Sequence, residues 1–323
     1  MSKTITLDMS TKKLTYDAQL TPAAYIDSGD TIICESEDAN CSLIMDESDV
    51  WAQVSEIREA AGGGSDPVCG PVYVNGAKAG DFLAVEILKV EPGPWRNGGY
   101  TSIQGGCGWF EFVKCNLQDP LVPTSRILKF DGEGHAKMNL EGGEEYLKVP
   151  LNPFVGCIGV APKRDRVCSD SLNEEYCGNV DIPQFREGAT VILRCNVDGG
   201  LLSIGDVHAA QGDGEITGCA IECQGRTTAR VSLIKKEDMK YYGCPQVNTP
   251  TTIGSVGVWS GRNLTFAISR GYVDLIRRIG AEYGIGQSDA YMLLCLCGKV
   301  QIGNGSSAVC TVERSILEKF KKN

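Results

Sequence analysis

Histidine is scarce in this chain, with only His135 and His208 among 323 residues. A three-histidine zinc centre is therefore excluded, and any zinc must draw on carboxylates, cysteines or water. Long apolar runs are missing as well. No stretch approaches the roughly 20 residues that cross a bilayer as a helix, and the opening "MSKTITLDMSTKKL" has no apolar signal core. These absences lead to the expectation of a soluble cytoplasmic protein without membrane partners. Positive charge is in deficit, with a formal net charge of -10. A surface of that sign repels phosphate backbones, so no nucleic-acid role is expected. The one basic run, the tail "EKFKKN", reads as a solvated helix end. Metalloprotease (H-E-x-x-H), P-loop, dinucleotide (G-x-G-x-x-G) and nucleophile-elbow (G-x-S-x-G) patterns are all absent.

Cysteine, by contrast, is abundant at 15 residues, yet no C-x-x-C pair occurs. An odd, scattered set without a secretion signal argues against a disulfide framework. The expected state is reduced and mostly buried, with thiols acting as small apolar groups. Glycine is also abundant, at 39 residues. It separates short apolar runs such as "GDTIICES", "GPVYVNGAKAGDFLAVEILKV", "GATVILRCNVDGGLLSIGDVH", "GEITGCAIEC" and "TARVSLIKK", which read as strands and turns.

Helical spacing is rarer. Ser48–Ala60 reads as a helix stopped by the Gly62–Gly64 run. Tyr272, Ile276, Ile279 and Tyr283 recur at helical intervals. Ser288 is expected to cap "DAYMLLCLC" with Gly298 ending it, and "VERSILEKFKK" to form a last helix. Strands dominating early and helices collecting late make a mainly β, α+β pattern. Pro150, Pro153 and Pro162 suggest a boundary between a β-rich domain, 1–150, and an α+β domain, 151–323.

The richest segment is "DVHAAQGDGE", residues 206–215, which holds one of the two histidines. On the strand "LLSIGDVH", alternation puts Asp206 and His208 on one face, where both can ligate a cation. The glycines that follow permit sharp turns and close approach of a ligand. A tight hairpin at Gly212–Asp213 would put Glu222 on the face opposite His208. "AAQGDGE" is not a clean primed turn, so an irregular loop is expected and Glu222 can join. Each residue alone reads more simply as a solvated loop acid or a structural histidine. Their convergence after one buried-looking strand points to a zinc or hard-cation site, and the acid oxygens also suit calcium or magnesium. Asp213 reads as a turn acid and His135 as an exposed loop residue.

"GDVHAAQGDGEITGCAIE", residues 205–222, closely resembles the signature of the acetamidase/formamidase family. "SGDTIICESEDA", "GPVYVNGAKAGDFLAVEI", "GNVD" and "DAYMLLCLCGKVQI" resemble further blocks of that family in the same order. The pattern departs at Cys177, where glycine is expected before Gly178, and at Lys299, where an acid is common. The resemblance implies a β-sandwich or barrel-like scaffold with few helices, mostly towards the C-terminus. It implies a homo-oligomer that hydrolyses a small linear amide to a carboxylate and ammonia. The implied cofactor is a divalent metal, zinc first, with calcium as a companion.

On that reading Asp206, His208 and Glu222 ligate the metal, with Asp38 as a fourth. Glu215 is the general base, with Glu222 its alternative. Asn179 and Gln211 hold the amide, Asp181 supports the loop, and N–H groups near Gly212 or Gly214 steady the oxyanion. The rivals are hydrolysis of a cyclic or larger amide, a non-catalytic metal-binding scaffold, and a cysteine-dependent amidase.

Overall fold

Short runs of alternating buried and exposed side chains, bounded by glycine turns, build two large sheets. The structure is a computed structural model describing residues 2–60, 64–104, 108–110, 121–140, 143 and 145–320. Among these residues the first sheet has nine strands. Its centre runs Asp30–Ser36, Gly225–Ile234, Phe82–Pro92 and Thr190–Arg194, and its far edge is Gln246–Asn248, Thr252–Val258, Ser307–Glu313 and Lys299–Ile302. The second sheet has twelve strands and is centred on Leu202–His208, between Phe154–Gly159 on one side and Val68–Val74 and Glu222–Cys223 on the other. Neither closes into a barrel. Both take strands from either side of residue 150.

The two sheets share one core. Ile32, Val85, Val191 and Val231 from the first meet Val72, Val155, Ile158, Ile204 and Val207 from the second. This is sandwich packing, in which the inward-facing members of each alternating strand interdigitate. A second apolar cluster lies under the late helices, with Leu275, Ile279, Tyr283 and Leu294 against Ile253, Cys310 and Val312. Among the described residues the cysteines are free, and most are buried. No described helix is long and apolar enough to cross a membrane.

Most runs expected as strands are strands, including Asp30–Ser36, Val68–Val74, Phe82–Pro92 and Leu202–His208. "ITGCAIE" is not. Only Glu222–Cys223 is extended there, because Glu215 and Gly218 adopt positive φ (46° and 72°) and Gly218 N–H closes a turn onto the Glu215 carbonyl at 2.7 Å.

The early helix is Trp51–Ala60, and Gly62 and Gly63, expected to stop it, lie outside the described residues. The long late helix is Leu264–Tyr283, capped by the Asn263 side chain and ended by Gly284 in the left-handed region. Ser288 is not a cap: the helix is Gln287–Cys297, Gly286 takes the N-cap position, and Gly298 ends it as expected. Val312 and Glu313 belong to a strand, so the last helix is only Arg314–Leu317 with a 3-10 turn Glu318–Phe320. The tail beyond Phe320 lies outside the described residues. His135 opens the strand His135–Asn139, half-buried, with Nδ1 3.5 Å from Asp131.

The long helix sits tightly on its sheet. A Cβ on Gly257 would stand 1.9 Å from the Ala267 carbonyl oxygen, which is backbone and cannot rotate away. Gly257→Ala is therefore expected to destabilise the fold by about 1–3 kcal/mol through overpacking. The check is the urea midpoint, which falls at unchanged slope.

Candidate metal centre

The centre starts at the end of the strand Leu202–His208. Its antiparallel register pairs His208 directly with Glu222. Directly opposed residues point to one face, so the irregular loop 209–221 does bring Glu222 to His208. Asp206 reaches the same point by a different route. Its φ is 56°, so the strand kinks there instead of alternating regularly. The result is one imidazole nitrogen between two carboxylates: His208 Nε2 lies 3.3 Å from Asp206 Oδ2 and 3.2 Å from Glu222 Oε2. All three residues are buried, at 2–3 % exposure. Phe154 meets the imidazole edge-on at 5.0 Å between ring centroids.

The other face of the imidazole is fixed by Gln211. Its Nε2 donates to the carbonyls of Asp181 (2.9 Å) and Gly303 (3.0 Å), leaving Oε1 facing His208 Nδ1 at 2.9 Å. A neutral His208 thus carries its proton on Nδ1 and leaves the Nε2 lone pair, beside the carboxylate oxygens, free for a cation. Asp181 and Glu215 complete the surroundings. Ligand atoms of Asp181, Asp206 and His208 lie within 4.8 Å of one another, as do those of His208, Glu215 and Glu222. Asn304 Nδ2 donates to Asp181 Oδ2 at 2.7 Å.

The electrostatics ask for a cation. Asp181 Oδ1 and Asp206 Oδ1 are buried with no hydrogen-bond partner, which is costly unless something positive approaches. Burial lifts Asp181 to about 7 against the pull of His208. Burial likewise raises Glu222, against the pull of His208 and with the help of Asp206. Burial works against charge on His208, yet Glu222 and Asp206 outweigh it and push its pKa well above the ordinary value. The space between these groups therefore favours positive charge, which a proton on Nε2 or a divalent ion would supply. Ligands of a tetrahedral zinc stand roughly 3.3 Å apart, given bonds of about 2.0–2.1 Å. The His208 spacings match that. The donor set of one imidazole and several carboxylates fits zinc, and its oxygens fit calcium.

The centre forms the floor of a cavity of about 750 Å³. Asp66, Asp181, Asp206 and Glu215 all line it, and all sit at positive φ between 46° and 56°. Such strain in non-glycine residues persists only where the surroundings enforce it, and it clusters at functional sites.

Asn179 lines the cavity too. Its Nδ2 donates to Asp66 Oδ2 at 2.8 Å, and its Oδ1 is buried without a partner. The short strand Cys177–Asn179 forms with Cys177 in place of the expected glycine, Cys177 at φ 71° and Gly178 at 86°. Asp38 is not brought to the group: its Oδ1 accepts the N–H groups of Asn40 (3.0 Å) and Ser42 (2.9 Å), closing its own turn. The Gly214 N–H donates to Ile302 at 3.4 Å, and Asp213 is exposed. Lys299 lines a separate cleft and pairs with Glu313 at 3.3 Å.

Sequence reasoning missed Asp66, Gly156, Asn304 and Trp109. Gly156 is diagnostic: a Cβ there would stand 2.4 Å from Asp206 Oδ2 and 2.8 Å from Asp181 Oδ1. Its carbonyl also accepts the N–H groups of Val180 (3.3 Å) and Asp181 (3.2 Å). Asp66 follows a glycine run and Asn304 sits in "GNGSS", so both carried turn signals but nothing that pointed to this site.

A two-sheet β sandwich with a buried carboxylate–imidazole centre under a cavity defines the class structurally. The Acetamidase/Formamidase family model matches residues 5–175 and 166–307, and the chain belongs to that family. A formamidase of Methylophilus methylotrophus is 43% identical over 229 residues, 56% of each chain. An acetamidase of Mycolicibacterium smegmatis is 30% identical over 222 residues, 54% of each. The matches span about half the length of these curated relatives. The acetamidase structure from Yersinia enterocolitica superposes with a TM-score of 0.84 at 31% identity, covering 97% of this chain and 93% of that one. The acetamidase structure from Bacillus halodurans gives 0.84 at 28% identity, covering 98% and 99%.

Proposed function

We propose that this chain hydrolyses a small linear amide, of the formamide or acetamide type, to a carboxylate and ammonia with a divalent metal. The observation that carries the reading is the His208 Nε2 flanked by Asp206 and Glu222, with unpartnered carboxylate oxygens, at the floor of a cavity. Relatives described as formamidase and acetamidase supply the reaction class.

Amides resist attack because the carbonyl is weakly electrophilic and the amine leaves badly. A divalent ion held by Asp206, His208 and Glu222, with Asp181 beside them, would polarise the carbonyl and make water a nucleophile near neutral pH. The chain's own groups do the rest. Glu215 takes the proton of the attacking water and returns it to the departing nitrogen. Asn179 Oδ1 accepts from the amide N–H. Gln211 acts through His208, since its own amide is engaged with Asp181, Gly303 and the imidazole. Zinc best suits the imidazole, with calcium on neighbouring oxygens. A soluble cytoplasmic homo-oligomer is the setting we assign.

The cysteine rival is disfavoured. That holds among the described residues, where Cys157, Cys219 and Cys223 adjoin the centre and burial drives each thiol up, away from the reactive thiolate; Cys107 and Cys115 lie outside the described residues. The test is ammonia release from formamide, acetamide and a γ-lactam, with metal content measured before and after chelation. Release that stops on chelation and returns with one added metal is the expected result. Tight metal binding with no release from any of the three would move the reading to a larger amide or to a non-catalytic scaffold.

A further inference from the structure

Glu215 is a base without a visible support. Among the described residues no hydrogen bond is made to its carboxylate, so within them its place is set by its main chain. That main chain is in the left-handed region at φ 46°, after Gly214 at 92°, which an ordinary loop would relax. Something must hold it.

The holder is Trp109, a distant residue that lines the cavity beside Glu215. Its indole Nε1–H donates to the Gly214 carbonyl at 2.6 Å, and its main-chain N–H donates to the Ile216 carbonyl at 2.9 Å. These are the two carbonyls on either side of Glu215. The approach is close because two glycines allow it. A Cβ on Gly214 would meet Trp109 Cζ2 at 2.8 Å, and a Cβ on Gly108 would meet the Ile216 carbonyl at 2.7 Å. The opposite side of the loop is pinned by Gly214 N–H to Ile302 and by Gln211 to Gly303.

We propose that Trp109 is a positioning residue that grips residues 214–216 and so aims the Glu215 carboxylate at the His208–Glu222 centre. This rests on the reading of Glu215 as the base. It predicts that the indole N–H matters beyond the bulk of the ring. Without it the Gly214 carbonyl loses its part-buried donor and the left-handed turn at Glu215 is released.

Two variants test this, Trp109→Phe, which keeps an aromatic ring, and Trp109→His, which restores a ring N–H. They are measured in the full chain beside Glu215→Gln. In Trp109→Phe, kcat should fall about tenfold, the equivalent of one lost hydrogen bond, with KM moving less than about twofold. Metal content should stay unchanged, and Trp109→His should recover part of the loss.

Amide hydrogen exchange gives a readout independent of activity. In Trp109→Phe the peptide covering 211–218 should lose protection while the strand Leu202–His208 keeps it. Unchanged kcat with unchanged exchange in 211–218 would overturn the proposal. A rise in KM with kcat intact would also overturn it, by making Trp109 a wall of the cavity only. If exchange responds but Glu215→Gln leaves turnover intact, the grip stands and the assignment of the base fails. If no protein releases ammonia, the exchange result alone decides the grip.

Discussion

On the proposed mechanism, Glu215→Gln is expected to keep the fold and the capacity to bind metal and to lower turnover by about 10²–10⁴-fold, the usual worth of a positioned general base. The substitution preserves shape and removes only the ability to take a proton. Glu215 is half-buried on the cavity wall, with an oxygen within 4.8 Å of ligand atoms on His208 and Glu222. Burial, and then the neighbouring Asp181, raise its pKa well above that of an ordinary glutamate. That is the direction a base working near neutral pH requires. Steady-state kinetics with metal analysis on the same preparation decide the point. Unchanged turnover removes Glu215 from the role and leaves Glu222 as the alternative. Metal lost together with turnover makes Glu215 a ligand.

Gly156→Ala is expected to weaken metal binding at the centre without replacing any of the proposed ligands. The added Cβ would stand 2.4 Å from Asp206 Oδ2 and 2.8 Å from Asp181 Oδ1, and 3.0 Å from the Asp206 carbonyl. Both carboxylates are buried, so neither can swing into solvent. Displacing such groups lowers metal affinity by about 10–100-fold, the scale seen when groups behind metal ligands are changed. Overpacking adds a stability loss of about 1–3 kcal/mol. Metal titration of the folded variant is the measurement. Wild-type affinity would show that the carboxylates rearrange freely and that the centre is not built around Gly156. The contrast between the variants is informative, since Glu215→Gln separates turnover from metal and Gly156→Ala couples them.

The pocket also bears on the choice of amide. A cavity of about 750 Å³ lies in the range of drug-sized ligand sites and exceeds what formamide needs. The ranking of formamide, acetamide and a γ-lactam by kcat/KM thus reads how much of that space the substrate uses. A pocket discriminates single methylene groups by only about 1–3 kcal/mol, so a graded series is expected rather than one substrate accepted alone.

The sequence by itself determined whatever depends on neighbours in the chain. Turn glycines and alternation marked the strands that became the two sheets, and the spacing of Ile276, Ile279 and Tyr283 marked the helix that packs on the first sheet. Two histidines alone ruled out whole classes of metal site. The motif of residues 205–222 carried the family and put Asp206, His208 and Glu222 forward together.

Only the tertiary structure decided which distant groups meet them. Asp181 reaches the centre because Phe154–Gly159 lies between its segment and the strand of His208, and both chains approach a position, Gly156, that has no side chain. Trp109 reaches Glu215 across a gap that only Gly108 and Gly214 leave open. Asp38, acidic and buried, stays with its own turn, because two main-chain N–H groups within four residues satisfy it before any distant partner can. Asp206 was expected on the right face by strand alternation, but a left-handed backbone brings it there. Local pattern sets which side chains are available. Convergence is set by strand order and close packing, which join residues far apart in the chain and leave no periodic trace in the sequence.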